Sequence, residues 1–403
     1  MTSTSACVDV LVYLCTTNVA EALYLAHTIY CIVRYNTQPP LGAKTRMKLS
    51  FHDWKRKVLL PLVTIIFVSC VSQVLGLQNF SNPITAIGEI VYPSSILRGV
   101  SWYGLDSNPS WYEMNKEYFD FMVQTFPAMT FLSLPVSANT IMPEIENGDY
   151  NTIDYSRLSL LKDFVSWSKP HGIKILVSNY WESTNEVALK AYWKFMAQQF
   201  LDENTIVGFD LINEPWAFAH GNEGLIDLYE RIIDAIRSVD PYRACFVQSM
   251  YYHYQTAEWR NVLLTNPVNR SNVVYTAHLY SQDAATGEWY DSYTSPWIPY
   301  YLNHDYGRAK QVLRNTTEGG HGGLYQRFGF IKQELGYPVV ITEVATIDTE
   351  EGHQYLRDVL DILNEWNINW TYHPWYTNID RPISLTYPNG TVRPKSTIVR
   401  DAM

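Results

Sequence analysis

The sequence predicts an α/β chain folded as a (β/α)8 TIM barrel, and three observations carry that reading. Short apolar runs alternate with longer segments of helical spacing from residue 96 onward, no linker or internal repeat interrupts the alternation, and two of the runs end in a glutamate. In such barrels the strand tips face one mouth, which is where polar residues can be gathered.

Taken in order, a first strand is expected over 97–103 and a second over 129–136 (M-T-F-L-S-L-P-V). A helix over 153–169 follows, because Leu158, Leu161, Phe164 and Val165 recur at helical spacing. The third strand is 172–178, with a helix over about 184–201 behind it. The fourth is the run Val207-Gly208-Phe209-Asp210-Leu211-Ile212 ending in Asn213-Glu214-Pro215, where proline stops the ladder from continuing. Leu225, Leu228, Ile232, Ile233 and Ile236 then mark an amphipathic helix over 225–239. Strands five to eight are expected over 244–250, 272–279, 338–343 and 368–372. Between the sixth and seventh lies a long aromatic insertion, 280–323, with Trp289, Tyr290, Tyr293, Trp297, Tyr300 and Tyr301; a loop of this length is expected to overhang the site.

The two glutamates at strand tips are Glu214 and Glu343. A carboxylate pair facing across a barrel mouth suits cleavage of a glycosidic bond, because one carboxyl must protonate the leaving oxygen while the other attacks or activates water at the anomeric carbon. Trp102, Trp181 and Trp375 each stand near a strand tip, where a ring could stack on a sugar face.

Composition narrows the function classes. At 403 residues with 47% hydrophobic side chains, the chain can bury the core of one barrel domain, expected over 78–403. A net charge of −10 argues against nucleic acid, since a polyanion would be repelled. Of the cysteines Cys7, Cys15, Cys31, Cys70 and Cys245, only the last falls in the barrel, so no disulfide framework is expected there. The histidines do not fall at metal-ligand spacings, and neither a metal nor a cofactor is expected.

The first 77 residues read differently. Lys55-Arg56-Lys57 followed by the apolar run 58–77 forms the basic and apolar regions of a signal peptide or signal anchor over 47–77, with residues 1–46 as a doubtful upstream extension. The expected product is a secreted monomer, or one attached to the extracellular face of a membrane through 58–77. Glycosylation triplets at Asn79, Asn269, Asn315, Asn369 and Asn389 fit export.

With these residues in view, the stretch from 96 to 376 resembles glycoside hydrolase family 5, the cellulase-type barrels with their catalytic pair on strands four and seven. Asn213-Glu214-Pro215 resembles the family's acid/base motif, which implies Glu214 as proton donor and Asn213 as the holder of the substrate's 2-hydroxyl. Glu343 matches the nucleophile. His278-Leu279-Tyr280 matches a His-x-Tyr, in which the tyrosine orients the nucleophile and the histidine lies near the acid/base. Arg98-Gly99-Val100 is similar to the family's first-strand opening. The resemblance implies a retaining glycosidase acting on a β-linked polysaccharide or oligosaccharide, cellulase- or mannanase-like, through a glycosyl-enzyme and without a cofactor.

Three positions depart from the pattern. Ser133 stands where the family has an arginine beside the nucleophile, His373 falls at or near its eighth-strand tryptophan, and the third strand ends Asn179-Tyr180-Trp181 where a histidine is usual. Either another donor serves Glu343, with Tyr280 the first candidate and Asn179 or Tyr180 next, or the barrel has lost hydrolysis; replacement is the expectation. The same departures leave open a barrel that binds carbohydrate without turning it over, and a transglycosylase would use the same scaffold.

Overall fold

The computed structural model describes residues 96–106, 114–181, 183–215, 221–249, 257–282, 287–290, 295–317, 322–376 and 380–403. The extension 1–46, the segment 47–77 and residues 78–95 lie outside them. Among the described residues no helix is long and apolar enough to cross a membrane.

Eight parallel strands close on themselves in the order of the sequence: β1 (Arg98–Ser101), β2 (Phe131–Val136), β3 (Lys174–Asn179), β4 (Ile206–Asp210), β5 (Ala244–Gln248), β6 (Val273–Tyr280), β7 (Val339–Ala345) and β8 (Asn369–Tyr372). A helix follows each strand: α1 (Lys116–Thr125), α2 (Tyr155–Ser168), α3 (Glu186–Gln199), α4 (Gly221–Arg237), α5 (Ala257–Thr265), α6 (Tyr306–Arg314), α7 (Glu350–Glu365) and α8 (Lys395–Ala402). Five of them begin at polar residues whose side chains accept otherwise unpaired backbone N–H groups: Asn115 before α1, Asp154 before α2, Asn185 before α3, Asp305 before α6 and Thr349 before α7. The expected barrel is the observed one, and each expected strand overlaps its observed counterpart.

Inside the barrel the lower layer is apolar. Leu97, Phe131, Leu176, Val207, Ala244, Phe246, Val274 and Val340 form a cluster of their own, apart from the larger core between sheet and helices. Gly208 is required here, because a Cβ would come within 2.4 Å of the Phe246 ring that fills the space. Side chains alternate along a strand, so two residues further on the same face turns polar: Ser133, Ser178, Gln248 and Thr276 are all buried. Two more residues reach the mouth, where β6 presents His278 and then Tyr280. A bulge between Ala277 and His278 brings His278 into register with Glu343 of β7.

The insertion after β6 differs from the expectation. It contains a short helical turn, Ile298–Leu302, and α6. Trp297 and Tyr301 are fully buried, and Tyr301 donates to Asp358 of α7 at 2.8 Å. Its described part therefore packs on the barrel's outer helices, and these aromatic rings serve packing. Residues 283–286 and 291–294, with Tyr293, are outside the described set. Asn369 is a second correction: it is buried in β8, where its side chain accepts from Leu97 N at 2.9 Å, so it offers no glycosylation site. Asn269, Asn315 and Asn389 are exposed. Cys245 is a buried free thiol in β5.

Candidate active site

Glu214 follows β4 and Glu343 lies within β7. The chain turns at Glu214 with a left-handed φ of 42°, and its backbone N–H donates to Gln248 Oε1 of β5 at 2.7 Å. Asn213 is fixed beside it by a backbone bond to Asn179 O at 2.9 Å. His278 bridges the pair: its Nδ1 is 2.6 Å from Glu214 Oε1 and 3.4 Å from Glu343 Oε2. One oxygen of each carboxylate and the His278 nitrogen all lie within 4.8 Å of one another. Three such atoms could approach one metal ion, but each already has a partner within this group or among the tyrosines.

Glu343 is the more enclosed of the two, its side chain 6% exposed against 32% for Glu214. Tyr280 donates its phenolic hydroxyl to Oε2, and Tyr180 at the tip of β3 donates to Oε1. Among the described residues no lysine or arginine comes within ion-pair distance of Glu343; the cationisable groups beside it are His278 and, at 3.9 Å, His373. Burial therefore drives the Glu343 pKa well above the usual carboxylate range, and the charge of Asp106 pushes the same way. His373, buried in the same place and 3.0 Å from Ser101 Oγ, is held well below its ordinary value by burial first and then by the charges of His278 and Arg381.

Around this centre stand residues that the sequence did not single out. Tyr103 follows β1; its ring makes edge contacts with Tyr180 (centroids 5.7 Å apart) and His373 (4.4 Å), and the Arg381 guanidinium lies 5.8 Å from its centroid. Asp106, three residues on, accepts from Gly104 N at 2.8 Å. No short motif marks these positions. They become neighbours only when β1, β3 and β8 close the barrel.

The tryptophans need correction. Trp102 is wholly buried against Phe164 of α2, and Trp375 is wholly buried between Phe121 and Phe126. Neither exposes a face on which a sugar could stack. Trp181, 8% exposed, is mostly core as well, its indole N–H donating to Glu146 at 3.1 Å. Asn179 is likewise committed to the frame, its Oδ1 accepting from Ala138 N and Trp181 N. Glu214, Glu343, Asn213, His278 and Tyr280 are brought together as expected from their places on the strands, and Tyr180 joins them.

No curated protein matches the chain in sequence. Solved structures do match in fold. A hyperthermophilic endocellulase from the archaeon Pyrococcus horikoshii is 18% identical, with a TM-score of 0.55 over 76% of this chain and 92% of that one. A Pseudomonas stutzeri endoglucanase in complex with cellobiose is also 18% identical, at a TM-score of 0.58 with the same coverage. XacCel5A in complex with cellopentaose is 17% identical, at 0.56 over 76% of this chain and 99% of that one. Identities this low speak to the fold alone. The model of the family described as cellulase (glycosyl hydrolase family 5) matches residues 95–379. Because that span is well over half the chain and takes in all eight strands with both glutamates, the chain belongs to glycosyl hydrolase family 5 and is a glycosidase.

Proposed function

We propose that the protein is a retaining glycosidase of β-linked glycans, with Glu343 as nucleophile and Glu214 as acid/base. The observation that carries this is the spacing of the pair, with a carboxylate oxygen of each residue and His278 Nδ1 within 4.8 Å of one another. Retaining enzymes hold their carboxyls about 5–5.5 Å apart, whereas inverting ones need roughly 6.5–9.5 Å to admit a water.

The surroundings support the same division of labour. Two phenolic O–H donors converge on Glu343, and donors of this kind stabilise the ionised form that attacks carbon. Glu214 is more open to solvent and shares a hydrogen bond with a histidine, which suits a group that gives a proton to the leaving oxygen and later takes one from water. In the first step the Glu343 carboxylate forms a bond to the anomeric carbon as the glycosidic C–O bond breaks, and the Glu214 proton goes to the departing oxygen. In the second, water attacks that carbon, its proton passes to Glu214, and Glu343 leaves as carboxylate.

Cello-oligosaccharide complexes among the structural neighbours support a β-linked oligosaccharide or polysaccharide as substrate class. The basic and apolar run over 55–77 supports export or anchoring outside the cell.

The test is chemical rescue. Glu343→Ala should lose turnover of an activated aryl β-glycoside and regain part of it with azide, giving a glycosyl azide of inverted configuration. Oligosaccharide binding without any Glu343-dependent turnover across a broad glycoside panel would replace this reading with a binding-only barrel.

A further inference from the structure

We propose that Arg381, with Tyr103, forms an anion-recognising subsite beside the nucleophile, so that the preferred substrate carries a carboxylate on the sugar held next to Glu343, as in a uronic acid. This deepens the glycosidase reading above and rests on it.

Arg381 is half-buried in the loop after β8, and its guanidinium makes no hydrogen bond or ion pair among the described residues. It lies over Tyr103, whose ring touches both Tyr180, a donor to Glu343, and His373. Among the described residues it is the one cation whose charge reaches both Tyr103 and His373. The planar fork of a half-buried arginine without a partner fits a carboxylate with two parallel bonds.

The loop is built to present this side chain. Arg393 pairs with Asp380 immediately before it, and Lys395 Nζ donates to the carbonyl of Pro382 immediately after it. The Arg381 carbonyl itself accepts from Ser384 N and Ser384 Oγ, and Ile383 O accepts from Tyr372 OH at 2.7 Å. Lys395 is completely buried, and it also donates to Thr346 O at 2.7 Å. Two buried cations thus hold the residues on either side of Arg381, one through the Asp380 side chain and one through the Pro382 carbonyl, while its own charge stays uncommitted.

The site otherwise repels anions. Asp106, Glu214 and Glu343 all bear on Tyr103, so an acidic sugar can settle there only where a cation offsets them. Arg381 is the group of opposite sign on that ring. The competing account is that Arg381 merely balances these carboxylates and treats every substrate alike.

Binding to the Glu343→Gln protein separates the two without relying on turnover. Its affinity for 4-nitrophenyl β-D-glucuronide and 4-nitrophenyl β-D-glucoside would be measured by calorimetry at two salt concentrations. We expect the glucuronide to bind at least tenfold tighter, with a preference that weakens as salt rises. Adding Arg381→Gln should remove that preference and leave glucoside binding within about twofold, while Arg381→Lys keeps part of it. Equal binding of the two probes, or an equal loss of both on Arg381→Gln in a protein that melts like its parent, overturns the proposal. A lack of turnover in the unsubstituted enzyme would instead count against the glycosidase mechanism, so the two failures are distinct.

Discussion

The Tyr180 hydroxyl donates to Oε1 of Glu343 across the barrel mouth, although 163 residues separate them in the chain. Together with Tyr280 on Oε2, this gives the carboxylate one phenolic donor per oxygen where the family pattern would place an arginine. Two neutral donors replace one charged fork.

Because the donors are divided, neither tyrosine should be indispensable alone. A hydrogen bond to a charged group contributes about 1.5–3 kcal/mol, so Tyr180→Phe and Tyr280→Phe should each lower kcat by roughly 10- to 100-fold. The double variant should be worse than either. A single change that matched the double one would mean that only one of the two donors acts on the transition state.

The pH dependence follows from the direction of the Glu343 shift. As the proposed nucleophile Glu343 must be ionised, and burial with Asp106 raises its pKa, so the acidic limb of kcat/KM should lie above that of an ordinary glutamate. Asp106→Asn removes a negative neighbour and should move the limb down. Tyr180→Phe removes a donor to the ionised form and should move it up. Initial rates on an aryl glycoside across pH 4–8 read all three.

Asp210 offers a stability test away from the chemistry. It is fully buried in β4 with one oxygen bonded to Ser178 Oγ at 3.1 Å, and burial raises its pKa from 3.8 to about 7. The folded protein therefore keeps a proton that the unfolded chain has lost between these values. Its contribution to stability is complete below pH 3.8 and is lost as pH rises through about 7. Asp210→Asn should escape that loss. Its melting advantage over the parent should grow from pH 4 to 7 and then level off, by a few kcal/mol at about 1.4 kcal/mol per pKa unit.

Trp375 distinguishes packing from sugar contact. Trp375→Ala should destabilise the fold by about 3–5 kcal/mol, because it empties a site between Phe121 and Phe126. Trp375→Phe should cost less and leave KM within about twofold. A large rise in KM without a change in melting temperature would restore the stacking role.

The barrel could be read from sequence because parallel strands are covered on both faces and so appear as short apolar runs. Val339–Ala345 and Ile206–Asp210 illustrate this, being buried at every residue. α1 was harder to see, since only Phe119 and Met122 of its ten residues are buried. Glu214, Glu343, His278 and Tyr280 were legible because their strands aim them at one mouth. A tryptophan's type says nothing about which way it points: Trp102 and Trp375, expected as rings that could stack on a sugar, turn into the core beside the site. Tyr103 and Arg381 left no local trace, because their meeting depends on the closure of β1 against β8 and on a loop fastened from α8.

Glu214 sits in a backbone conformation that residues with a Cβ adopt at a cost of about 1 kcal/mol or more and that glycine adopts freely. Glu214→Gly is therefore the rare change that relieves local strain and deletes the proposed proton donor in one step. Any screen for heat-tolerant variants that does not also score turnover will be drawn toward it. Selection for durability and selection for chemistry pull this codon in opposite directions, and a lineage that no longer needed the reaction would give up this glutamate early.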